Sequence, residues 1–173
     1  RAGTVVIARE APTFSQTLQD FDSLLQYARD SNLELHNSQP ATDEELETLN
    51  LSGNFIRYSG VRAADQKAPI AATNIFLQEE YCPPNLQGVN TVEGPISEWV
   101  SNTHNVTVDH VTQRMEAVAL NAEQARLLGV ERGAPALRTV RRYEDKSGAT
   151  FLLSESFHPA GRFAYEINLS KTN

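Results

Sequence analysis

The sequence predicts an α+β fold: an antiparallel sheet of about six to eight strands covered by helices, with one pattern of elements written twice along the chain. Three observations carry that expectation. The β-rich runs come in pairs joined by turn residues, as at 137–143 and 150–157 around Glu-Asp-Lys-Ser-Gly, which is hairpin chemistry. A short capped helix precedes each pair: Thr42-Asp43-Glu44-Glu45 before one, Asn121 with Gln124 before the other, the side chains satisfying amides that a first turn leaves unpaired. Finally, 79 residues separate Thr42 from Asn121, and 80 separate Gly53 from Gly133, Arg62 from Arg142 and Asp65 from Asp145. A spacing that constant is the mark of an internal duplication, with copies at about 18–80 and 95–158 inside one domain of 173 residues.

Taken in order, 18–29 places apolar residues at 18, 21, 24, 25 and 28. That is the spacing of an amphipathic helix, with Asp20 and Asp22 in the first turns, where the helix dipole favours negative charge. Leu33, Leu35 and Asn37 read as a short strand that ends at Pro40. After the Thr42 capping box, Leu46 and Leu49 are the apolar positions of a helix that Ser52-Gly53 stops, and 55–63 and 69–77 are strands around Asp65-Gln66-Lys67. The run 81–88 holds Pro83-Pro84 and reads as a stiff loop, and Pro95 opens a helix with apolar residues at 96, 99 and 100. A β-rich run covers 106–120, and the Asn121 helix closes on Leu127 and Leu128, with Gly129 where a left-handed residue is wanted. After Gly133-Ala134-Pro135 comes the second hairpin, then a last strand over 164–169, and only 171–173 lack an ordered pattern.

Composition excludes several classes of function. At this size roughly 70% of the unfolded chain's surface can be buried, so the fold needs neither disulfide nor metal. One cysteine, Cys82, rules out an internal disulfide and fits a reducing compartment, so the cytoplasm is expected. No run approaches a membrane span. With 15 basic against 22 acidic residues, the surface is unsuited to gripping nucleic acid, which requires clustered Lys and Arg. His36, His104, His110 and His158 show no metal-ligand spacing, and there is no GxSxG, Gly-rich phosphate loop or HExxH. Neither a metal nor a cofactor is expected, and no catalytic residue is assigned. Cys82 is a bland thiol before two prolines; Glu44-Glu45 and Glu79-Glu80 are capping and surface residues, since neighbours in sequence point apart.

Two basic features remain. Arg138, Arg141 and Arg142 form the densest cationic stretch; it reads as an exposed strand face or repelling edge, or as an anion contact. Arg62 has small neighbours, Gly60, Ala63 and Ala64, which leave room beside it for a ligand.

The string GVRAADQKAPIAATNIFL resembles a hairpin, and NAEQARLLGVERGAPALRTVRRYEDKSGATFLLSESFHPAGRFAYEINL resembles the C-terminal half, of the UTRA domain, the effector-binding domain of GntR-type transcriptional regulators of the HutC branch. The likeness covers nearly the whole chain, and RAGTVVIA resembles the strand that follows the family's DNA-binding winged helix. It implies a chorismate-lyase-like fold that binds a small metabolite without turning it over, forms a homodimer, and reaches DNA only through the winged helix. An enzyme of the same fold releasing an aromatic acid from chorismate, and a dimerisation module without ligand, are the alternatives.

Members that bind sugar phosphates resemble one another in an Arg-x-Arg pair, hydroxyl residues at the first helix, an acid on the returning strand and a late Tyr. Here Arg62 fits the second Arg, Gly60 stands for the first, Gln19 and Asp20 for the hydroxyls, Thr73 for the acid and Phe163 for the Tyr. An Asp at the helix start repels phosphate. The resemblance therefore implies a carboxylate, an amino acid or a similar metabolite at Arg62, Asp20, Tyr58, Thr73, Glu155 and Phe163, with Asp20 or Glu155 taking an amine.

Overall fold

Alternating apolar side chains and hairpin turns build six strands of this chain into one sheet. The computed structural model describes residues 14–18, 21–64, 68–85, 89–90, 92 and 94–168. Its elements are β1 (Phe14–Leu18), α1 (Phe21–Arg29), β2 (Asn32–Pro40), α2 (Asp43–Thr48), β3 (Phe55–Ala63) and β4 (Ala71–Gln78), with a 3₁₀ turn at Glu79–Tyr81. There follow α3 (Ile96–His104), β5 (His110–Ala119), α4 (Ala122–Leu128), β6 (Pro135–Glu144), β7 (Thr150–Pro159) and β8 (Phe163–Ile167). Six strands make an antiparallel sheet in the order β2-β3-β4-β7-β6-β5, and β1 pairs with β8 in parallel. The antiparallel sheet with covering helices is the expected fold class. The expected strand over 1–8, the turn at 65–67, the loop centre at 86–88 and the tail at 171–173 lie outside the described residues.

Three boundaries move. The first helix starts at Phe21, because residues up to Leu18 pair with β8 instead. β2 continues to Pro40, which an edge strand tolerates because no inner neighbour needs its missing amide. β5 begins at His110 rather than 106.

Both helix signatures form as capping boxes. The Glu45 amide donates to Thr42 Oγ1 (3.2 Å) and the Thr42 amide to Glu45 Oε2 (2.8 Å). The Asn121–Gln124 pair does the same at 2.9 and 3.0 Å. Gly129 ends α4 at φ 63°, where a Cβ is disfavoured.

The order helix, strand, capped helix, hairpin occurs twice, as α1-β2-α2-β3-β4 and α3-β5-α4-β6-β7, and the halves meet where β4 pairs with β7. The ladders correct the spacing. Phe55 lies opposite Gln78 and Ala136 opposite Pro159, so equivalent hairpin residues stand 81 apart, from 55 to 136 and from 78 to 159. One residue of slip turns a side chain to the other face. Arg62 therefore corresponds in place to Tyr143, not to Arg142.

On one face, α2 covers Leu49, Leu51, Phe55, Phe76 and Leu153, while α4 covers Ala72, Leu120, Ala136 and Phe157. On the other, Leu35, Tyr58, Ile75, Leu77, Tyr143 and Leu152 pack with Val100 of α3, and α1 and β8 close the rest through Tyr27 and Phe163.

Candidate functional site

The face under α1 and β8 is the polar one. Period-two alternation and the ladder pairs bring Arg62 of β3, Thr73 of β4, Ser156 and His158 of β7, and Thr139 and Arg141 of β6 to the same side. Thr73 and Ser156 share a hydrogen bond of 2.9 Å between their hydroxyls. The His158 ring reaches Thr139 Oγ1 at 3.4 Å and the Ile70 carbonyl at 3.3 Å. Phe163 stacks on His158 at 4.0 Å between centroids, with Tyr27 edge-on to both. Burial, with Arg62 and Arg141 nearby, pushes the His158 pKa down to about 3, so the imidazole is neutral at neutral pH. Arg141 donates twice to Gln113 Oε1, at 2.9 and 2.7 Å.

Arg62 is, with Arg141, one of two buried arginines on this face. It is 8% exposed, yet no carboxylate pairs with it among the described residues. Its Nη1 donates to Ser31 Oγ at 3.1 Å and to the Ser31 carbonyl at 3.4 Å, and its guanidinium carbon sits 4.9 Å from the centroid of the Tyr27 ring. Its Nε finds no acceptor among the described residues. Burial pulls its pKa below the ordinary arginine value, and Arg141 adds to that. Arg62 lines a cleft of about 600 Å³ together with Ser31, Leu33, Val89, Asn90 and Ile96. Arg29 of α1 and Glu98 of α3, 2.5 Å apart, tie the two helices together beside it. The Asn90 side chain bonds both the amide and the carbonyl of Leu35, at 3.0 and 2.9 Å, fixing that wall to β2.

The structure sorts the expected residues. Arg62 and Thr73 share the polar face, and Phe163 covers it. Tyr58 points to the same side but is 3% exposed within the apolar cluster of Leu35, Ile75 and Leu77 and does not itself line the cleft. Asp20 lies outside the described residues. Glu155 is on the opposite face, opposite Asn74 in the ladder. There it accepts from Arg138 at 2.8 Å and from Asn74 at 3.0 Å, while Arg138 also pairs with Glu116. That hydrogen bond from Arg138 holds the Glu116 carboxyl below the usual carboxylate range. Glu155 therefore does not converge with Arg62.

Two further readings are corrected. A Cβ on Gly60 would stand 1.9 Å from the Glu34 carbonyl oxygen and 2.7 Å from Leu35 Cα, so its missing side chain admits the backbone of β2 at its bulge and leaves no space for a ligand. Nor do Arg138, Arg141 and Arg142 form an exposed cluster or an edge. β6 lies between β7 and β5, Arg138 and Arg141 face opposite sides, and Arg142 donates to the Leu49 and Asn50 carbonyls that end α2.

Sequence reasoning missed Tyr27, Ser31, Thr139, Ser156 and His158, and named Arg141 only within the cationic stretch. One signal was present: Ser154, Ser156 and His158 form a polar period-two stripe along a run otherwise rich in Phe and Leu. Among the described residues, no three His, Cys, Asp or Glu side chains come together to hold a metal ion, and no helix is long and apolar enough to cross a membrane.

Comparison with known proteins completes the description. The model of the UTRA domain matches residues 26–164. The fold is similar to the ligand-binding domain of a protein assigned to the GntR family of transcriptional regulators from Bordetella bronchiseptica, with TM-score 0.69, 17% identity, and 83% of this chain and 91% of that one covered. It is also similar to the effector domain of PhnF from Mycobacterium smegmatis (TM-score 0.69, 12% identity, 91% and 100% covered). The C-terminal domain of YurK from Bacillus subtilis is a third likeness (TM-score 0.68, 13% identity, 90% and 99% covered). At such identities the likeness is one of fold. No protein with a curated description matches the sequence.

Proposed function

The chain belongs to the UTRA domain family, and on that premise we propose that it is the effector-sensing part of a GntR-type regulator of the HutC branch. In this reading it works in the cytoplasm as a homodimer, turns over no substrate, and meets DNA only through a winged helix elsewhere in the full protein. The effector is a small metabolite with one anionic group, a carboxylate or an amino acid.

One observation supports this most: Arg62 is buried on a cleft wall with no carboxylate partner and with Nε unmatched among the described residues. Burying a charge without a partner is expensive. A carboxylate in the cleft offsets that cost with charge-assisted hydrogen bonds in the guanidinium's own plane. Thr73 and Ser156 hold hydroxyls, bonded to each other, on the same face of the sheet, and Asp20 is the one acid left from the sequence reading to take an amine, since Glu155 is engaged on the other face. Arg62 is tethered through Ser31 to the turn after α1. An anion that competes for the guanidinium thus acts on the packing of α1 against the sheet. It shifts DNA affinity only if it binds one arrangement of the dimer better than the other.

The test is a thermal-shift and calorimetry screen of the 173-residue chain against amino acids, carboxylates, sugar phosphates and phosphonates. A true effector at about 100 times its Kd adds about 2.7 kcal/mol, a shift of several degrees, and Arg62→Ala abolishes it. Micromolar binding of glucosamine 6-phosphate that survives Arg62→Ala refutes the proposal.

A further inference from the structure

Hairpin residues 81 apart are equivalent, so Arg57 and Arg138 hold the same place in the two copies, on the face that α2 and α4 cover. Their neighbours differ. Opposite Arg138 on β5 stands Glu116, and diagonal to it on β7 stands Glu155. Arg138 gives its Nε to Glu155 at 2.8 Å, its Nη2 to the same carboxylate at 2.7 Å, and its Nη1 to Glu116. The same two places around Arg57 hold amides, Gln39 on β2 and Asn74 on β4. Asn74 is already engaged, its Oδ1 accepting from Ser59 Oγ at 2.9 Å and its Nδ2 donating to Glu155 at 3.0 Å. Glu45 of the capping box takes Arg57 Nη1. Arg57 Nε is buried and finds no acceptor among the described residues.

Arg57 also lines a cleft of about 140 Å³ between α4 and the strands β3 and β4, together with Ser59, Asn74, Glu123, Gln124 and Phe157. This cleft shares no lining residue with the one beside Arg62. Glu123, in the first turn of α4, is exposed and makes no ion pair among the described residues. Gln124 has its Oε1 on the Asn121 amide at 3.0 Å, which leaves its Nε2 to donate. The cleft therefore offers buried donors at one end and a carboxylate at the other. We propose that it is a second binding site, for the zwitterion of a small amino acid. The site stands apart from the Arg62 reading and does not depend on it.

Charge and size select this class. The ligand's carboxylate accepts from Arg57 Nε and Gln124 Nε2, giving Arg57 the second acceptor that Glu155 gives Arg138. Its ammonium donates to Glu123 and to Ser59 Oγ. Arg57 and Glu45 already balance each other, so a ligand of zero net charge leaves no buried charge uncompensated. A simple anion meets Glu45 and Glu123 as like charges, and a simple cation meets Arg57. A cleft of this volume holds a few waters or one small molecule, and the Phe157 ring bounds it. Glycine, alanine and serine fit these limits, and an aromatic amino acid does not.

The test is a glycine titration of the ¹⁵N-labelled chain, following by NMR the Arg57 Nε–H signal and the amides of Ser59 and Gln124. Saturable shifts are expected at all three, and Arg62→Ala leaves them unchanged. Arg57→Lys keeps a cation for Glu45 but lacks the Nε donor, and Glu123→Gln removes the acceptor for the ammonium. Each weakens binding by at least about tenfold with circular dichroism unchanged. Acetate and methylammonium, the two halves of the ligand, bind more weakly than glycine by a similar factor. Absence of a saturable shift at Arg57 Nε–H overturns the site, as does binding that survives both Arg57→Lys and Glu123→Gln. Shifts that vanish in Arg62→Ala belong to the other cleft and overturn this one while leaving the Arg62 reading intact. Acetate binding as tightly as glycine overturns the zwitterion.

Discussion

Replacing Arg62 by Met separates a residue kept for a ligand from one kept for the fold. The substitution keeps an unbranched stem of similar reach and removes the guanidinium. Lost are the charge-assisted bond to Ser31 Oγ at 3.1 Å, worth about 1.5–3 kcal/mol, and the contact with the Tyr27 ring at 4.9 Å, worth about 1 kcal/mol. Ser31 is not orphaned, because its hydroxyl also donates to the Tyr27 carbonyl. Removed at the same time is the cost of holding a cation at 8% exposure without a carboxylate, several kcal/mol. The balance is an unfolding free energy unchanged or raised by up to about 2 kcal/mol, so Tm stays the same or rises by up to roughly 8 °C at this chain length. Differential scanning calorimetry measures that, and titration calorimetry with the best carboxylate from the screen should show binding lost. Arg62→Lys, which keeps the charge but not the planar fork, should recover little of it. A fall in stability of more than about 3 kcal/mol in Arg62→Met would identify a structural cation and refute the reasoning, as would undiminished binding.

Four further outcomes are expected. His158 has a folded pKa of about 3 against 6.5 unfolded, so the unfolded chain binds more protons between those values. Its contribution is complete above pH 6.5 and is lost as pH falls toward 3, by up to about 1.4 kcal/mol per unit; urea midpoints from neutral to about pH 4.5 should fall less steeply in His158→Gln, and equal slopes would contradict the assignment. Gly60→Ala drives a Cβ to 1.9 Å from a backbone oxygen, costs about 3 kcal/mol and raises amide exchange at Leu35. Arg138→Ala strands Glu155, whose side chain is 12% exposed, and costs about 3 kcal/mol by urea denaturation. Asn121→Ala removes a capping box and costs about 1 kcal/mol in the same measurement.

The elements that local chemistry specifies were readable. Thr42 with Glu45 and Asn121 with Gln124 cap their helices through their own side chains, and each hairpin closes between neighbours in sequence, so nothing distant was needed to see them. Facing was harder. An offset of 80 residues equates Arg62 with Arg142, but the ladders set the offset at 81, and one residue decides which side of the sheet a side chain meets. The same parity parts Glu155 from Arg62 and breaks the apparent cluster of Arg138, Arg141 and Arg142. Gly60 was misread for a related reason: a missing side chain signals close approach, and only the β2 bulge shows that the approaching group is backbone. Tyr27 and Ser31 escaped because their partners lie on other elements, and neither pattern nor spacing ties an aromatic of α1 to a strand arginine.

The two faces of this sheet treat their buried arginines differently. Arg57 and Arg138 correspond in place, 81 residues apart, and the fold answers each with a carboxylate: Glu45 for Arg57, and Glu116 with Glu155 for Arg138. On the other face, Arg62 corresponds to Tyr143, an ordinary buried aromatic at 5% exposure. A tyrosine at 62 would therefore fit the pattern of the sheet without any buried charge. Retaining an arginine there, beside a cleft and with a hydroxyl where the other face supplies acids, costs stability that Arg57 and Arg138 do not cost. Stability alone gives no reason for that choice. An anion that enters the cleft does, because it supplies from outside the carboxylate that the fold supplies to Arg57 and Arg138.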